Sequence, residues 1–169
     1  YDTLNFSSIN SNLIGDQSLF GLIKNSKGII FCYNLSGQIF CIKNNQLQLF
    51  CTVPKEYLSS VIQLCFDKQD NLYISCKKLL NVNLDKKISV LYTFKSEEAS
   101  SLAIDKEGKI YFYDSQNVFY IENNKAKHFM KISQEINNLL NPYVTNTGTV
   151  NFQVNTKPQG FIKKQGKIE

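Results

Sequence analysis

The stretch Asp105–Asp114, DKEGKIYFYD, is written more than once in this chain. Asp67–Cys76 reads DKQDNLYISC, Asn25–Asn34 reads NSKGIIFCYN, and Thr145–Val154 reads TNTGTVNFQV. Aligned on Gly28, Asp70, Gly108 and Gly148, the copies stand 42, 38 and 40 residues apart. Ile30, Leu72, Ile110 and Val150 form one apolar column, and Cys32, Ile74, Phe112 and Phe152 form a second two residues on. Between them run Phe31, Tyr73, Tyr111 and Asn151. β-Branched and aromatic residues at period two predict a strand buried on at least one face.

An apolar segment precedes three of the copies: LFGLI at 19–23, VIQLCF at 61–66 and SLAI at 101–104. Each joins the following strand through four residues that open on Asn25, Asp67 or Asp105. Asp or Asn at the first turn position bonds its own backbone, and Gly or Asp at the last accepts a left-handed conformation. Downstream, a second hairpin is expected at Asn44-Asn45, Asp85-Lys86, Asn123-Asn124 and Gln165-Gly166, again about 40 residues apart. Asn-Asn and Gln-Gly suit two-residue turns with positive φ. Each unit thus reads as four antiparallel strands, and four strands at this period are the pattern of a β-propeller blade. The expected fold is all-β, with about four blades at 13–53, 58–95, 99–132 and 138–169 forming a single partial propeller domain. Pro142 suits the first strand of the fourth unit, which lines the channel with one neighbour. Residues 1–8 offer a further outer strand, so either an open arc of a larger propeller or a small closed ring satisfies the count. Helix is expected nowhere, except for a short turn over Ser133–Leu140.

The remaining chemistry is sparse. Apolar residues make up 43% of the chain and charged residues 20%, the balance of a globular protein. No apolar run reaches the length of a membrane span. The chain opens on Tyr1 without a leader pattern, and is expected to be a segment of a longer product. The net charge is +5, but paired lysines occur only at Lys77-Lys78, Lys86-Lys87 and Lys163-Lys164, each at an expected turn or hairpin end. A nucleic-acid footprint needs clustering on one face, so no nucleic-acid partner is expected.

The five cysteines contain no C-x-x-C pair, so no metal site is expected. Cys32 falls in the column of Ile74 and Phe112, Cys41 is matched to Val82 and Tyr120, Cys51 to Tyr92 and Met130, and Cys65 to Ile23 and Ala103. They read as small buried hydrophobes without disulfides. Cys76 alone falls at a strand end, opposite Asn34 and Asp114. His128 is expected on an outer-strand surface. Asp67 and Asp105 cap turns, Glu97-Glu98 is a solvated linker, and no catalytic residue or cofactor is expected. Candidate ligand-reading positions lie in the loops between second and third strands, which differ between units: Tyr33, Asn34, Lys77, Lys78, Tyr113 and Asp114. Function concentrates on such loops.

Ser18–Ile42, SLFGLIKNSKGIIFCYNLSGQIFCI, and Ser101–Asp114, SLAIDKEGKIYFYD, resemble the repeats of two-component regulator propellers. That family's pattern is an apolar inner strand, D-x-x-G-x-[IL]-W, then a glycine-led third strand. Asp105–Tyr111 fits with Tyr for Trp, Asn25–Phe31 fits with Asn and Phe, and Gly37–Phe40 and Gly160–Ile162 fit the third-strand start. The absence of Trp and the Asp70 in place of Gly mark a divergent member, or a cousin of the NHL-like or lactonase-like propellers. The resemblance implies a noncatalytic sensor segment, periplasmic or extracytoplasmic. It would stand ahead of a membrane span and a histidine kinase outside these residues, with a small-molecule or glycan ligand. Exposed blade edges add an expectation of homodimerisation. Two alternatives stay open: a protein-interaction propeller without kinase output, and a lactonase- or lyase-like enzyme.

Overall fold

A computed structural model describes residues 18–96, 99–115 and 117–131 in full, together with the backbone of strands at 140–144, 150–154, 160–164 and 167–168. The described chain forms four antiparallel sheets of four strands. The first holds β1 (Phe20–Lys24), β2 (Ile30–Tyr33), β3 (Gln38–Lys43) and β4 (Gln46–Thr52). The second holds β5 (Gln63–Phe66), β6 (Leu72–Ser75), β7 (Lys78–Val82) and β8 (Ile88–Thr93). The third holds β9 (Ala103–Ile104), β10 (Ile110–Asp114), β11 (Asn117–Glu122) and β12 (Lys125–Lys131). The fourth holds β13 (Leu140–Val144), β14 (Val150–Val154), β15 (Gly160–Lys164) and β16 (Lys167–Ile168). In every sheet the strands pair in chain order. These are β-propeller blades, as the repeat predicts. Pro142 sits in β13, an edge strand opposite Phe152 of β14. A 3₁₀ turn at Lys55–Tyr57, absent from the sequence reading, links the first two blades. Of the helical turn expected over Ser133–Leu140, Leu140 instead opens β13; its other residues, the outer strand at 1–8 and the Gln165-Gly166 turn lie outside the described residues.

The repeated phrase folds as its turn chemistry dictates. Asn25 Oδ1 accepts from the N–H groups of Lys27 and Ile29, Asp67 Oδ1 from Gln69 and Asn71, and Asp105 Oδ1 from Glu107 and Lys109, at 2.9–3.1 Å. The last turn residue has φ of +78° at Gly28, +63° at Asp70 and +88° at Gly108. Two turns carry a further latch: the Tyr73 hydroxyl donates to Asp67 Oδ2, and the Tyr111 hydroxyl to Asp105 Oδ2. The first blade replaces both partners together, with Asn25 and Phe31. The turns also join across blades, since the Ser26 N–H and hydroxyl both donate to the Asp70 carboxylate, at 2.8 and 2.9 Å.

The second hairpins are two-residue turns at Asn44-Asn45 (φ +49° and +59°) and Asn123-Asn124 (φ +53° and +57°). The second blade differs. Its turn begins at Asn83 rather than at Asp85-Lys86: the Lys86 N–H donates to the Asn83 carbonyl, and the Lys87 N–H to Asn83 Oδ1. The Asn83 side chain favours the longer loop, and Lys86 takes the positive φ of +62° at its end. One β-bulge recurs in three blades. Where β4, β8 and β12 pair with their inner neighbours, the register skips Phe50, Leu91 and Phe129. A bulge bends its strand and raises the local twist. The skipped aromatics lie against the repeat column, Phe50 on Phe31 (5.2 Å between centroids, 88°) and Phe129 on Tyr111 (5.7 Å, 80°).

The core lies between blades. Phe31, Ile39 and Val53 of the first blade pack against Leu64, Leu72, Ile74, Leu80 and Val82 of the second. Tyr73, Leu79 and Phe94 face Ile110, Phe112 and Ile121 of the third. Strand register corrects one cysteine alignment. Phe31 pairs with Cys41, Tyr73 with Asn81 and Tyr111 with Tyr120, so Cys41 corresponds to Asn81 rather than Val82. The displacement arose because the second blade's longer turn shifts the apparent count by one residue. Cys32, Cys51 and Cys65 occupy the columns expected of them.

Candidate functional site: a cleft between the first two blades

The structure brings the six loop candidates to the same end of their blades and occupies much of their polar chemistry internally. Asn34 is 0% exposed: its Oδ1 accepts from the Gln38 N–H at 3.0 Å and its Nδ2 donates to Gln38 Oε1 at 2.7 Å, closing the turn. Asp114, 3% exposed, accepts from the Tyr92 hydroxyl at 2.8 Å and from the Lys95 N–H. Cys76, the residue at the same place in the second blade, is also fully buried, with its thiol on the Lys78 carbonyl. Tyr33 is buried beside Phe20. Half-buried Lys77 links two segments through its backbone, donating to the Tyr57 carbonyl and accepting from the Phe94 N–H. Lys78 holds its ammonium 4.2 Å over the Tyr57 ring, and the Tyr113 N–H donates to Ser100 Oγ.

A cavity of about 250 Å³ opens instead at the other end, between the first two blades. Its buried floor is Asn25, Phe31 and Cys41; Ile29, Phe50 and Phe66 form its partly buried walls. Lys27, Lys43, Gln48, Leu49, Leu84 and Lys86 are exposed at the rim, with Asp70 and Asn83 half-buried between them. Lys86 stands 5.3 Å over the Phe50 ring. Leu84 is 70% exposed, so the mouth carries an apolar lip beside its cations.

The cavity has a repeat-level cause. The positions of Phe31 and Cys41 are held by Tyr73 and Asn81 in the second blade and by Tyr111 and Tyr120 in the third. A phenylalanine without the hydroxyl latch and a small thiol leave unfilled the space that larger polar residues occupy in the next blades. Sequence reasoning missed the site because its lining comes from segments some 40 residues apart; the paired change of Asp to Asn and Tyr to Phe was the available signal.

Four thiols and three tyrosines in and around the described core hold their protons more tightly than usual. All five cysteines are free thiols. Burial pushes Cys51 up to about 12, against a partial pull from the Lys86 charge. Burial and the nearby Asp67 charge push Cys65 to about 12. Burial likewise raises Cys32 and Cys76. Tyr73, Tyr92 and Tyr111 are pushed upward by burial and by the carboxylates they donate to. At pH 8 a thiol with a pKa of about 12 is thiolate in roughly one molecule in 10⁴, on the order of 10³-fold less than an ordinary thiol. Iodoacetamide labelling followed by peptide mass spectrometry should therefore find Cys51 and Cys65 nearly inert at pH 8 in the folded protein and ordinary in urea. These folded thiols keep their protons longer than the unfolded ones, so their contribution to stability is complete below pH 9.0 and is lost as the pH rises toward about 12.

His128 lies on exposed β12, its Nε2 3.1 Å from Asn117 Oδ1 and its ring edge-on to Phe119. Among the described residues, no three His, Cys, Asp or Glu side chains converge as metal ligands, and no helix is long and apolar enough to cross a membrane.

No family model matches the sequence, and no curated protein matches it. Solved structures match the fold. Virginiamycin B lyase from Staphylococcus aureus superposes with a TM-score of 0.71 at 12% identity, over 91% of this chain and 55% of that one. A gluconolactonase from Xanthomonas campestris gives 0.64 at 10% identity, over 89% and 60%. The extracellular domain of a hybrid two component system from B. thetaiotaomicron gives 0.65 at 13% identity, over 89% and 23%. The chain thus spans about half the length of the lyase. At these identities the likeness establishes the propeller fold alone.

Proposed function

We propose that this chain is a noncatalytic, ligand-sensing propeller segment of an extracytoplasmic sensor, related to the two-component regulator propellers and coupled to a histidine kinase outside these residues. The observation that carries this reading is the cleft between the first two blades, which joins aromatic walls to convergent polar and cationic groups, the composition of a small-molecule site. The neutral state of the buried thiols and tyrosines favours binding over chemistry, because a nucleophile or general base needs a pKa moved toward the working pH. Likeness to the B. thetaiotaomicron extracellular domain supports the sensor role. Signal passes by ligand binding or by pairing of two copies, with Lys77, Lys78 and Tyr113 at the opposite loop end as a second reading surface.

Thermal-shift screening of the purified chain against small-molecule and glycan-fragment libraries tests this. A stabilising ligand whose effect disappears in Cys41→Leu, which fills the cleft, is the expected result. Turnover of a sugar lactone or a streptogramin would overturn it in favour of the lactonase- or lyase-like reading, which the lyase and gluconolactonase neighbours keep in view. A gene that encodes no membrane span or kinase motif after Glu169 would favour a protein-interaction propeller.

A further inference from the structure

We propose that the cleft between the first two blades takes a small organic anion, an acid with a compact aromatic or branched apolar body. This rests on the reading of the cleft as a ligand site and adds the chemistry of its ligand. The first observation is Asn25, 8% exposed and part of the cleft floor. Its Oδ1 is fixed by two backbone N–H groups, which settles the orientation of the amide. Its Nδ2 is therefore turned to the side where Asp67 and Asp105 place Oδ2. In those blades a tyrosine hydroxyl meets that oxygen. In the first blade the ring is Phe31, and among the described residues nothing accepts from Nδ2. The Nδ2 group is open to the cleft rather than sealed, a free donor that a ligand oxygen can meet in place of water.

The second observation is charge. Lys27 and Lys86 reach the rim from two turns, and Lys43 from the end of β3. The one carboxylate among the lining residues, Asp70, has both oxygens occupied by Ser26. Three cations against one engaged anion favour a negative guest. The third is shape: Phe31 and Phe50 meet edge to face, and the volume of about 250 Å³ lies just below that of ordinary drug-sized sites, roughly 300–1,000 Å³. The guest is accordingly small, with its apolar body on the rings and its acidic group among the Asn25 amide and the lysines.

Benzoate is the probe and benzyl alcohol its neutral control, followed by amide NMR of the whole chain. Benzoate should shift the Asn25 side-chain amide, bind more tightly than benzyl alcohol, and weaken with added salt. Lys43→Gln with Lys86→Gln should reduce its affinity roughly 3- to 10-fold, the range of exposed ion pairs. Asn25→Asp keeps the turn, since Asp67 and Asp105 make the same one, and replaces the inward donor with a carboxylate oxygen; benzoate affinity should fall at least about 10-fold. Benzyl alcohol binding the cleft as tightly as benzoate overturns the anion assignment and leaves the cleft a ligand site. Unchanged benzoate binding in Asn25→Asp also overturns it. If neither probe perturbs cleft resonances, the anion assignment falls, while a stabilising ligand in the thermal-shift screen still upholds the cleft as a ligand site.

Discussion

Replacing Phe112 with alanine should cost about 3–5 kcal/mol of folding stability, the range for emptying a fully buried phenylalanine site. Phe112 is 0% exposed in β10 and is ringed by aromatics: Tyr92 at 5.0 Å, Phe94 at 5.7 Å and 87°, and Phe119 stacked at 5.4 Å and 16°. Tyr92 and Phe94 come from the end of the second blade, so the truncation opens a hole at a seam rather than within one sheet. Domains of this size are typically stable by only about 5–15 kcal/mol, so the loss is a large share of the whole. The matching position in the first blade is Cys32. Cys32→Ala removes a single sulfur and should cost far less. Urea denaturation of both variants, followed by far-UV circular dichroism, measures the difference. A Phe112→Ala loss below about 1 kcal/mol would show that the seam collapses around the gap.

The latch between Asp67 and Tyr73 should behave as a coupled pair. Asp67 accepts four hydrogen bonds, from two backbone N–H groups, the Asn71 amide and the Tyr73 hydroxyl. Asp67→Asn keeps the turn but sets an amide N–H₂ against two donors, at a cost of about 1.5–3 kcal/mol. Tyr73→Phe removes one donor and should cost about 1 kcal/mol. The double variant reproduces the Asn25 and Phe31 pair that the first blade already uses, so its loss should fall short of the sum by about 1–2 kcal/mol. Denaturation midpoints of the four proteins complete the cycle. Strict additivity would mean that the hydroxyl and the carboxylate act independently.

Local chemistry made most of the fold legible. Asn25, Asp67 and Asp105 announced their turns because the side chain that bonds the backbone lies within four residues of the groups it satisfies. The apolar columns announced strands because period two is a property of neighbouring positions. Reading became less reliable wherever the answer depended on a partner outside the unit. Cys41 was matched one residue out of place because the Asn83 turn is longer than its counterparts. The bulges at Phe50, Leu91 and Phe129 left no signature, since a skipped residue looks like any other strand residue until its partner is placed. Asn34 and Asp114 looked like variable loop residues, yet their variation reflects three ways of closing the same buried corner: an amide, a thiol and a carboxylate. The cleft needed two blades to exist, and its trace was a pair of departures from the repeat.

Those departures have a further meaning. The carboxylate and hydroxyl latch is complete in the second and third blades and missing from the first, where Asn25 and Phe31 stand in its place. A chain assembled from near-copies holds spare parts. One copy can drift toward a new task while its siblings go on guaranteeing the architecture, because each seam is stabilised by its own contacts. The first blade is the copy that lacks the latch. Innovation in such a molecule should therefore be sought where a repeat has stopped resembling itself.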